Sequence, residues 1–262
     1  MTGPLRDVTP LPDLLQGRSH TGPVREHRPV YLDLLPPCNA GCPAGENIQA
    51  WLGHTMDGRH EEAWRQLVQD NPLPAIHGRI CYHPCESVCN RTNLDSAVSI
   101  HSVERFLGDM ALEQGWLFDP PTMQSGKRVL VIGAGPSGLS AAYHLARLGH
   151  EVEIRDAGAE PGGMMRYGIP AYRLPRDILD GEIARLEAYG VKITCNHKVE
   201  DLAAERLEGG FDAVFVAAGA HLSKRVDIPA RDAGTIIDAV SFLREVASGE
   251  APVLGRRVAV YG

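Results

Sequence analysis

The chain has 262 residues, 44% of them hydrophobic and 23% charged, which is the composition of a globular protein with one large or two modest domains. Its 26 basic and 33 acidic residues give a net charge of -7, which argues against nucleic-acid and membrane partners. The N-terminal residues have no apolar run typical of a signal peptide, so we expect a cytoplasmic protein.

The first third of the chain predicts short helices behind an extended arm. Residues 1–30 are polar and aperiodic, which is typical of an arm without regular structure. Between Glu46 and Val68, apolar residues recur at helical spacing around a break at Asp57-Gly58, so two helices are predicted. Residues 71–91 are punctuated by prolines and predict a loop.

After this loop, a helical pattern from Val98 to Met110 completes a predicted helical domain over residues 31–118. A Pro- and Gly-containing linker then opens a second predicted domain, residues 119–255, in which short Val- and Ile-rich runs alternate with helices. We therefore expect an α/β fold: a small helical domain followed by a Rossmann-type parallel sheet. The strand candidates are RVLVIG, EVEIRD, VKIT and DAVFVA.

Five of the six cysteines lie in two short groups, which predicts a metal centre and not a disulfide framework. Thiolates suit iron–sulfur clusters, whereas zinc or buried free thiols are the alternatives that the spacing leaves open. A redox domain next to the cysteines favours the cluster, since zinc would have no redox task there. His83 and His101 are further ligand candidates, and Cys195 is interpreted as a packed side chain. The cysteines concerned are Cys38, Cys42, Cys81, Cys85 and Cys89.

A complete dinucleotide fingerprint begins the second domain. Gly133 allows a tight turn, Gly135 lets a pyrophosphate approach a helix N-terminus, and Gly138 permits close packing of that helix on the strand. Asp156, about 20 residues further on, is placed to bind ribose hydroxyls. The pattern predicts an adenine dinucleotide, either FAD or NAD.

The segment PGGMMRYGIPAYRLPRD follows the second predicted strand and favours FAD. Its paired glycines allow a close approach to a flavin, and Arg166 or Arg173 would balance phosphate charge; the alternative is a surface loop with solvated arginines. The predicted cofactor-binding set is Gly133, Ala134, Gly135, Pro136, Ser137, Gly138, Asp156, Gly163, Met164, Arg166, Arg173, Val199, Ala218 and Gly219.

Taken together, these motifs resemble the small (beta) subunit family of NADPH-dependent glutamate synthase. Its relatives include the N-terminal part of dihydropyrimidine dehydrogenase and the large subunit of NADH-dependent ferredoxin:NADP oxidoreductase. The resemblance runs from about Leu35 to the last residue, and it is carried by CNAGCPAGENIQAWL, GRICYHPCESVCNR, GAGPSGLSAA and GGMMRYGIPAYRLP.

The resemblance implies a helical domain with two 4Fe-4S clusters, FAD in the first Rossmann domain and NADPH in a second one. It matches Cys42, Cys81 and Cys85 to one cluster, with Glu104 where the family has a non-cysteine fourth ligand. Cys38 and Cys89 match the other cluster, whose usual CxxC is replaced here by VYLDLLPP. We therefore expect one cluster, with two as the alternative.

The last residues, 256–262, resemble the first strand of the NADPH-binding domain, so we expect the NADPH site to lie beyond the given sequence. The resemblance implies an enzyme subunit that passes electrons from NADPH through FAD to the cluster and then to a partner. That partner is a glutamate synthase large subunit or another ferredoxin-linked oxidoreductase, for example one acting on 2-oxoacids. A non-catalytic docking module bearing a cluster is the alternative function.

Overall fold

The computed structural model of the chain describes residues 35–220 and 235–261, so the predicted arm at residues 1–30 lies outside the described residues. A group of short helices precedes the first strand, and a 3-10 helix, Asn90–Asn93, lies among them. These helices are α1 (Pro37–Gly41), α2 (Ile48–Met56), α3 (His60–Leu67), α4 (Pro74–Ile80), α5 (Pro84–Ser87) and α6 (Ile100–Gln114).

The helices predicted on either side of Asp57-Gly58 are confirmed as α2 and α3, and the next predicted helix is confirmed as α6. The loop predicted for residues 71–91 was wrong, because α4 and α5 occupy much of it. Each of these two helices begins with a proline, Pro74 or Pro84, at a position where the missing N–H costs no hydrogen bond. The prolines there mark helix starts.

Helices α4 and α6 cross at two glycines. A Cβ atom on Gly78 would lie 2.4 Å from the Arg105 backbone nitrogen, and one on Gly108 would lie 2.3 Å from that of Ala75. Both distances are far below van der Waals contact, so the crossing requires glycine at both positions. The two helix backbones are therefore held together directly.

The second half of the described chain is a parallel α/β unit. Its four strands pair in the order β3-β2-β1-β4, and every recorded pair is parallel. The predicted strands and the predicted fold class are confirmed. In chain order the elements are β1 (Arg128–Ile132), α7 (Pro136–Arg147), β2 (Glu151–Arg155), α8 (Met164–Tyr167), α9 (Arg176–Ala188), β3 (Lys192–Thr194), α10 (Leu202–Glu208), β4 (Ala213–Val216) and α11 (Ala239–Ala247).

The strand order reverses between β1 and β4, because the chain adds β2 and β3 on one side of β1 and then β4 on the other side. Ligands of open parallel sheets bind at such a switch point. Residues 119–127, in the predicted linker, hold neither helix nor strand, and their role as a linker stays a prediction. Residues 256–261 also hold no strand, and none of the recorded strand pairs includes this segment. Its assignment to a further dinucleotide domain stays a prediction.

A shared core joins the helices to the sheet. Trp64 on α3 stacks on Phe118 with ring centroids 5.6 Å apart, and Phe118 in turn contacts Tyr143 on α7 at 4.6 Å. The Arg185 guanidinium, on α9, lies 5.1 Å from the Trp64 ring centroid. Within the described residues, no helix has both the length and the apolar content needed to cross a bilayer.

Glu182 on α9 lies in this core and makes stability depend on pH. Burial raises the pKa of its carboxyl to about 7, from an ordinary 4.5. The folded protein therefore holds this proton more tightly, so the stabilisation is complete below about pH 4.5 and lost as the pH rises to about 7. We expect denaturant titrations to show a loss of at most about 3 kcal/mol across this window. A Glu182→Gln variant that keeps the same pH dependence would contradict this assignment.

Candidate cofactor sites

The fingerprint turn lies at the C-terminal end of β1, at the point where the strand order reverses. Gly133 adopts φ +104, and a Cβ atom there would lie 2.4 Å from the Ala217 carbonyl oxygen beyond β4. On Gly138 a Cβ would lie 1.8 Å from the Gly133 oxygen, so only glycine lets α7 pack this closely on the turn. Two of the three predicted glycine roles therefore follow from the geometry.

Gly135 is the N-cap residue of α7, and the helix begins at Pro136. A Cβ on Gly135 would meet only the Cα of Gly163, at 3.9 Å, so Gly135 is less tightly enclosed than the other two glycines. Pro136 and Ser137 are exposed. The first amides of α7 therefore border an open surface, as an anion-binding helix terminus requires.

The Asp156 carboxylate braces this turn. One oxygen accepts a hydrogen bond from the Ala134 amide and the other from the Gly158 amide, both at 2.6 Å. Each carboxylate oxygen keeps a second lone-pair direction, so ribose binding and bracing are compatible. The ribose role of Asp156 stays a prediction.

The paired glycines of the second motif pack directly on the fingerprint turn. The Gly162 amide donates to the Ala134 carbonyl at 2.8 Å, and a Cβ on Gly163 would lie 2.7 Å from the Cα of Gly135. Gly162 and Gly163 both have positive φ, +123 and +52. The structure therefore brings the two predicted glycine motifs together.

Arg166 lies in a different environment from the one expected for a phosphate ligand. It is buried, donates to the Pro161 carbonyl at 2.6 Å, and pairs with the carboxylates of Glu160 and Asp180. Its charge is thus balanced by these two carboxylates. Arg173 is exposed, and no ion pair is recorded for it within the described residues.

The remaining predicted cofactor-binding residues are exposed or half-buried. Met164, at the start of α8, has 42% of its surface accessible, Ala218 and Gly219 are exposed beyond β4, and Val199 is half-buried. Their part in cofactor binding stays a prediction.

Sequence reasoning missed Arg176, the first residue of α9. Its guanidinium donates to four backbone carbonyls, those of Met165, Arg166, Ile169 and Leu174, at 2.5 to 3.3 Å. These bonds hold the segment after the paired glycines in one conformation. The sequence alone does not distinguish an arginine that binds backbone carbonyls at a helix start from one that is solvated there.

The cysteines lie at the ends of short helices that pack on each other. Cys42 ends α1, Cys81 ends α4 and Cys85 lies in α5. A Cβ on Gly41 would lie 2.6 Å from Val88 Cγ2 and 3.5 Å from the Cα of Cys85, so α1 closely approaches α5. The short helices therefore bring the two sequence groups of cysteines together.

The surroundings of Cys85 raise the pKa of its thiol. Burial, and next the charge of Cys42, raise the pKa of the Cys85 thiol to about 12, and Cys81 adds to the effect. The His83 amide donates to Cys81 Sγ at 3.4 Å. Burial raises the pKa of the Cys42 thiol, and the backbone amides of residues 44–46 act against this increase. Three neighbouring thiols with amide donors fit the sulfur-rich surroundings of an iron–sulfur cluster.

Glu104, the predicted fourth ligand, is buried in a carboxylate network. The Asn71 side-chain amide donates to Glu104 at 2.7 Å and to Glu46 at 3.0 Å. Burial raises the pKa of Glu104 well above its usual range and that of Glu46 to about 7. Glu46 also neighbours Cys42, so the network borders the thiols. Sequence reasoning missed Asn71 and Glu46. The ligand role of Glu104 stays a prediction.

The two histidines near the thiols stack on each other. The rings of His83 and His101 have centroids 3.8 Å apart at an angle of 23°, and His101 Nδ1 lies 2.8 Å from Glu86 Oε1. One ring nitrogen of each histidine and a carboxylate oxygen of Glu86 lie within 4.8 Å of one another, which is close enough for a metal ion to bind all three. Because a metal binds imidazole in the ring plane, the stacked rings would have to turn to direct both nitrogens at one ion. Cys38 and Cys89 are half-buried; Cys38 lies in α1, and Cys89 directly precedes the 3-10 helix Asn90–Asn93.

Two family models match two separate segments of the chain. A model described as dihydropyrimidine dehydrogenase domain II, 4Fe-4S cluster, matches residues 34–116. A model described as NAD(P)-binding Rossmann-like domain matches residues 131–195. The predicted combination of an iron–sulfur domain with a dinucleotide-binding domain is confirmed.

Curated relatives match most of this chain. The beta subunit of NADP-dependent formate dehydrogenase from Moorella thermoacetica is 40% identical over 86% of this chain and 36% of its own length. The beta subunit of NADPH-Fe(3+) oxidoreductase from Geobacter sulfurreducens is 36% identical, over 92% and 37%. The NADPH-dependent glutamate synthase small chain of Mycobacterium tuberculosis is 35% identical, over 80% and 43%.

This chain therefore spans well under half the length of these relatives. As the sequence motifs predicted, the chain is similar to iron–sulfur and NADP-dependent oxidoreductase subunits, among them the glutamate synthase small chain.

Proposed function

We propose that the complete subunit carries electrons between NADPH and a partner protein, through FAD at the fingerprint turn and a 4Fe-4S cluster at the cysteines. The observation that carries this proposal is the packing of α4, the helix that precedes Cys81, into the same hydrophobic core as the parallel sheet; Trp64 stacks on Phe118 in this core. A dinucleotide site and a thiol cluster held in one packed unit suit electron transfer between cofactors.

The chain's own residues would bind and position the two cofactors. The amides at the start of α7 would bind the pyrophosphate, and the paired glycines packed on Gly135 would border the dinucleotide. Cys42, Cys81 and Cys85 would hold the cluster, with Glu104, Cys38 or Cys89 as the fourth ligand. When bound, FAD supplies the conversion between hydride transfer and single-electron transfer.

For the partner, we propose an oxidoreductase subunit other than the glutamate synthase large subunit. Identity to the formate dehydrogenase and NADPH-Fe(3+) oxidoreductase beta subunits is 40% and 36%, against 34–36% for the glutamate synthases. Those two relatives also match a larger share of this chain. Copurification of the tagged full-length subunit with a glutamate synthase large subunit would overturn this choice.

The experiment that tests the electron-transfer proposal is anaerobic purification of the full-length subunit, followed by measurement of iron, sulfide, zinc and flavin. We expect about four irons with equal sulfide and one flavin per chain, and bleaching of the flavin by NADPH. Zinc in place of iron would overturn the cluster, and absence of flavin would overturn the proposed route.

Replacing Cys85 with serine is expected to abolish cluster binding, because a hydroxyl is a poor ligand for iron in a thiolate site. Iron and sulfide content and the visible spectrum measure this loss. Cys195→Ser is the control, since Cys195 follows β3 outside the cysteine groups and should leave the iron content unchanged. A Cys85→Ser protein with full iron content would remove Cys85 from the ligand set.

A further inference from the structure

Helix α9 contacts both candidate cofactor sites. At its first residue, Arg176 binds the backbone carbonyls of the segment that follows the paired glycines. Further along, Glu182 accepts a hydrogen bond from the backbone amide of Ala75, in the first turn of α4. One helix therefore contacts the dinucleotide loop and the helix that ends at Cys81.

The Glu182 side chain is fully buried, and its two oxygens have separate partners. Oε1 accepts from the Ala75 amide at 2.8 Å, whereas Oε2 accepts from Arg185 Nη1 at 2.8 Å within α9 itself. Helix α4 has no capping side chain at Leu73, the residue before its first turn. Glu182 thus supplies an acceptor that α4 lacks locally, from a position 107 residues away.

Helix α4 transmits this contact to the thiol at its other end. Ala75 and Cys81 are six residues apart, which corresponds to about 9 Å along a helix. Between these two residues, α4 and α6 are in direct backbone contact, because Gly78 faces Arg105 and Gly108 faces Ala75. A displacement of the first turn of α4 would therefore be carried to Cys81.

We propose that Glu182 is a positioning residue that holds the cysteine-bearing helix α4 at a fixed place relative to the dinucleotide-binding half of the molecule. This inference rests on the proposed function, since the fixed placement matters for electron transfer between the two sites. The hydrogen bond from the Ala75 amide to Glu182 fixes the position of α4, whereas the ion pair with Arg185 only balances the charge of the buried carboxylate.

The two roles of Glu182 can be separated by substitution. Glutamine keeps an acceptor oxygen for the Ala75 amide and removes the charge, whereas leucine removes both. Glu187→Leu is the matched control, because Glu187 is an exposed glutamate on the same helix.

The test is hydrogen exchange of the α4 amides in the full-length subunit, measured relative to the β1 amides, together with the electron paramagnetic resonance spectrum of the dithionite-reduced cluster. For Glu182→Leu we expect about tenfold faster exchange in α4, because a hydrogen bond to a charged group is lost, and altered g-values of the cluster. Glu182→Gln and Glu187→Leu should both resemble the wild type in these two measurements.

Equal changes in the Gln and Leu variants would overturn the proposal, because the ion pair would then be the important contact. Wild-type exchange in Glu182→Leu would overturn it as well. If Glu182→Leu does not fold, the double variant with Arg185→Leu repeats the measurement without a stranded charge. Absence of iron and flavin from the wild type would overturn the proposed function, whereas α4 exchange would still report on the Glu182 contact.

Discussion

Replacing Gly138 with alanine is expected to displace α7 from β1 and to abolish flavin binding. The new Cβ would lie 1.8 Å from the Gly133 oxygen and 3.3 Å from Val131 Cγ1. Gly133 cannot move away, because it is itself packed on the Ala217 carbonyl. We expect a loss of about 3 kcal/mol or more in the free energy of unfolding, measured by denaturant titration, and no bound flavin after purification.

Gly135→Ala is the informative comparison for this prediction. Its Cβ would meet only the Gly163 Cα, at 3.9 Å, which is an ordinary contact. We therefore expect Gly135→Ala to fold with near wild-type stability and to bind flavin more weakly, because the added methyl group lies where a pyrophosphate would approach. Wild-type stability and flavin content in Gly138→Ala would show that the described turn is wrong.

Replacing Gly108 with alanine is expected to separate α4 from α6 and to empty the cysteine site of iron. The Cβ would lie 2.3 Å from the Ala75 nitrogen and 2.5 Å from its Cα, so backbone and not a flexible side chain would have to move. Since α4 ends at Cys81, its displacement removes one thiol from the group. The iron content after purification measures the first effect. Denaturant titration measures the second, an expected loss of about 3 kcal/mol in the free energy of unfolding.

Gly53→Ala is the control for this crossing. Gly53 lies inside α2, and a Cβ there would meet no atom within 4 Å. Alanine at this helical position is expected to stabilise the protein by about 0.5–1 kcal/mol and to leave iron content unchanged. If Gly108→Ala behaved like Gly53→Ala, close approach of α4 and α6 would be excluded.

The sheet and the fingerprint turn were predictable because their signals are local. Four short Val- and Ile-rich runs became β1–β4, and the roles of Gly133 and Gly138 depend on residues of the same strand–turn–helix unit, apart from the contact with Ala217. The cysteine grouping was similarly visible, since the residues recur at short spacing. Local patterns therefore identified both candidate sites.

The contacts that hold the sites in place were not predictable in the same way. Glu182 meets Ala75 across 107 residues, and Asn71 meets Glu46 and Glu104 across 25 and 33 residues. A buried glutamate looks like a solvated one in sequence, because its burial depends on elements packed from elsewhere. The prolines of α4 and α5 misled for a related reason, as proline begins helices as readily as it interrupts them.

The packing of Gly163 on Gly135 has a consequence for the residues that the two positions tolerate. The two glycines are distant in sequence, but a Cβ on Gly163 would lie 2.7 Å from the Cα of Gly135, whereas a Cβ on Gly135 makes only an ordinary contact of 3.9 Å. Because the two positions are in contact, substitutions at them should be non-additive. This contact therefore constrains the residue at position 163 more strictly than the residue at position 135.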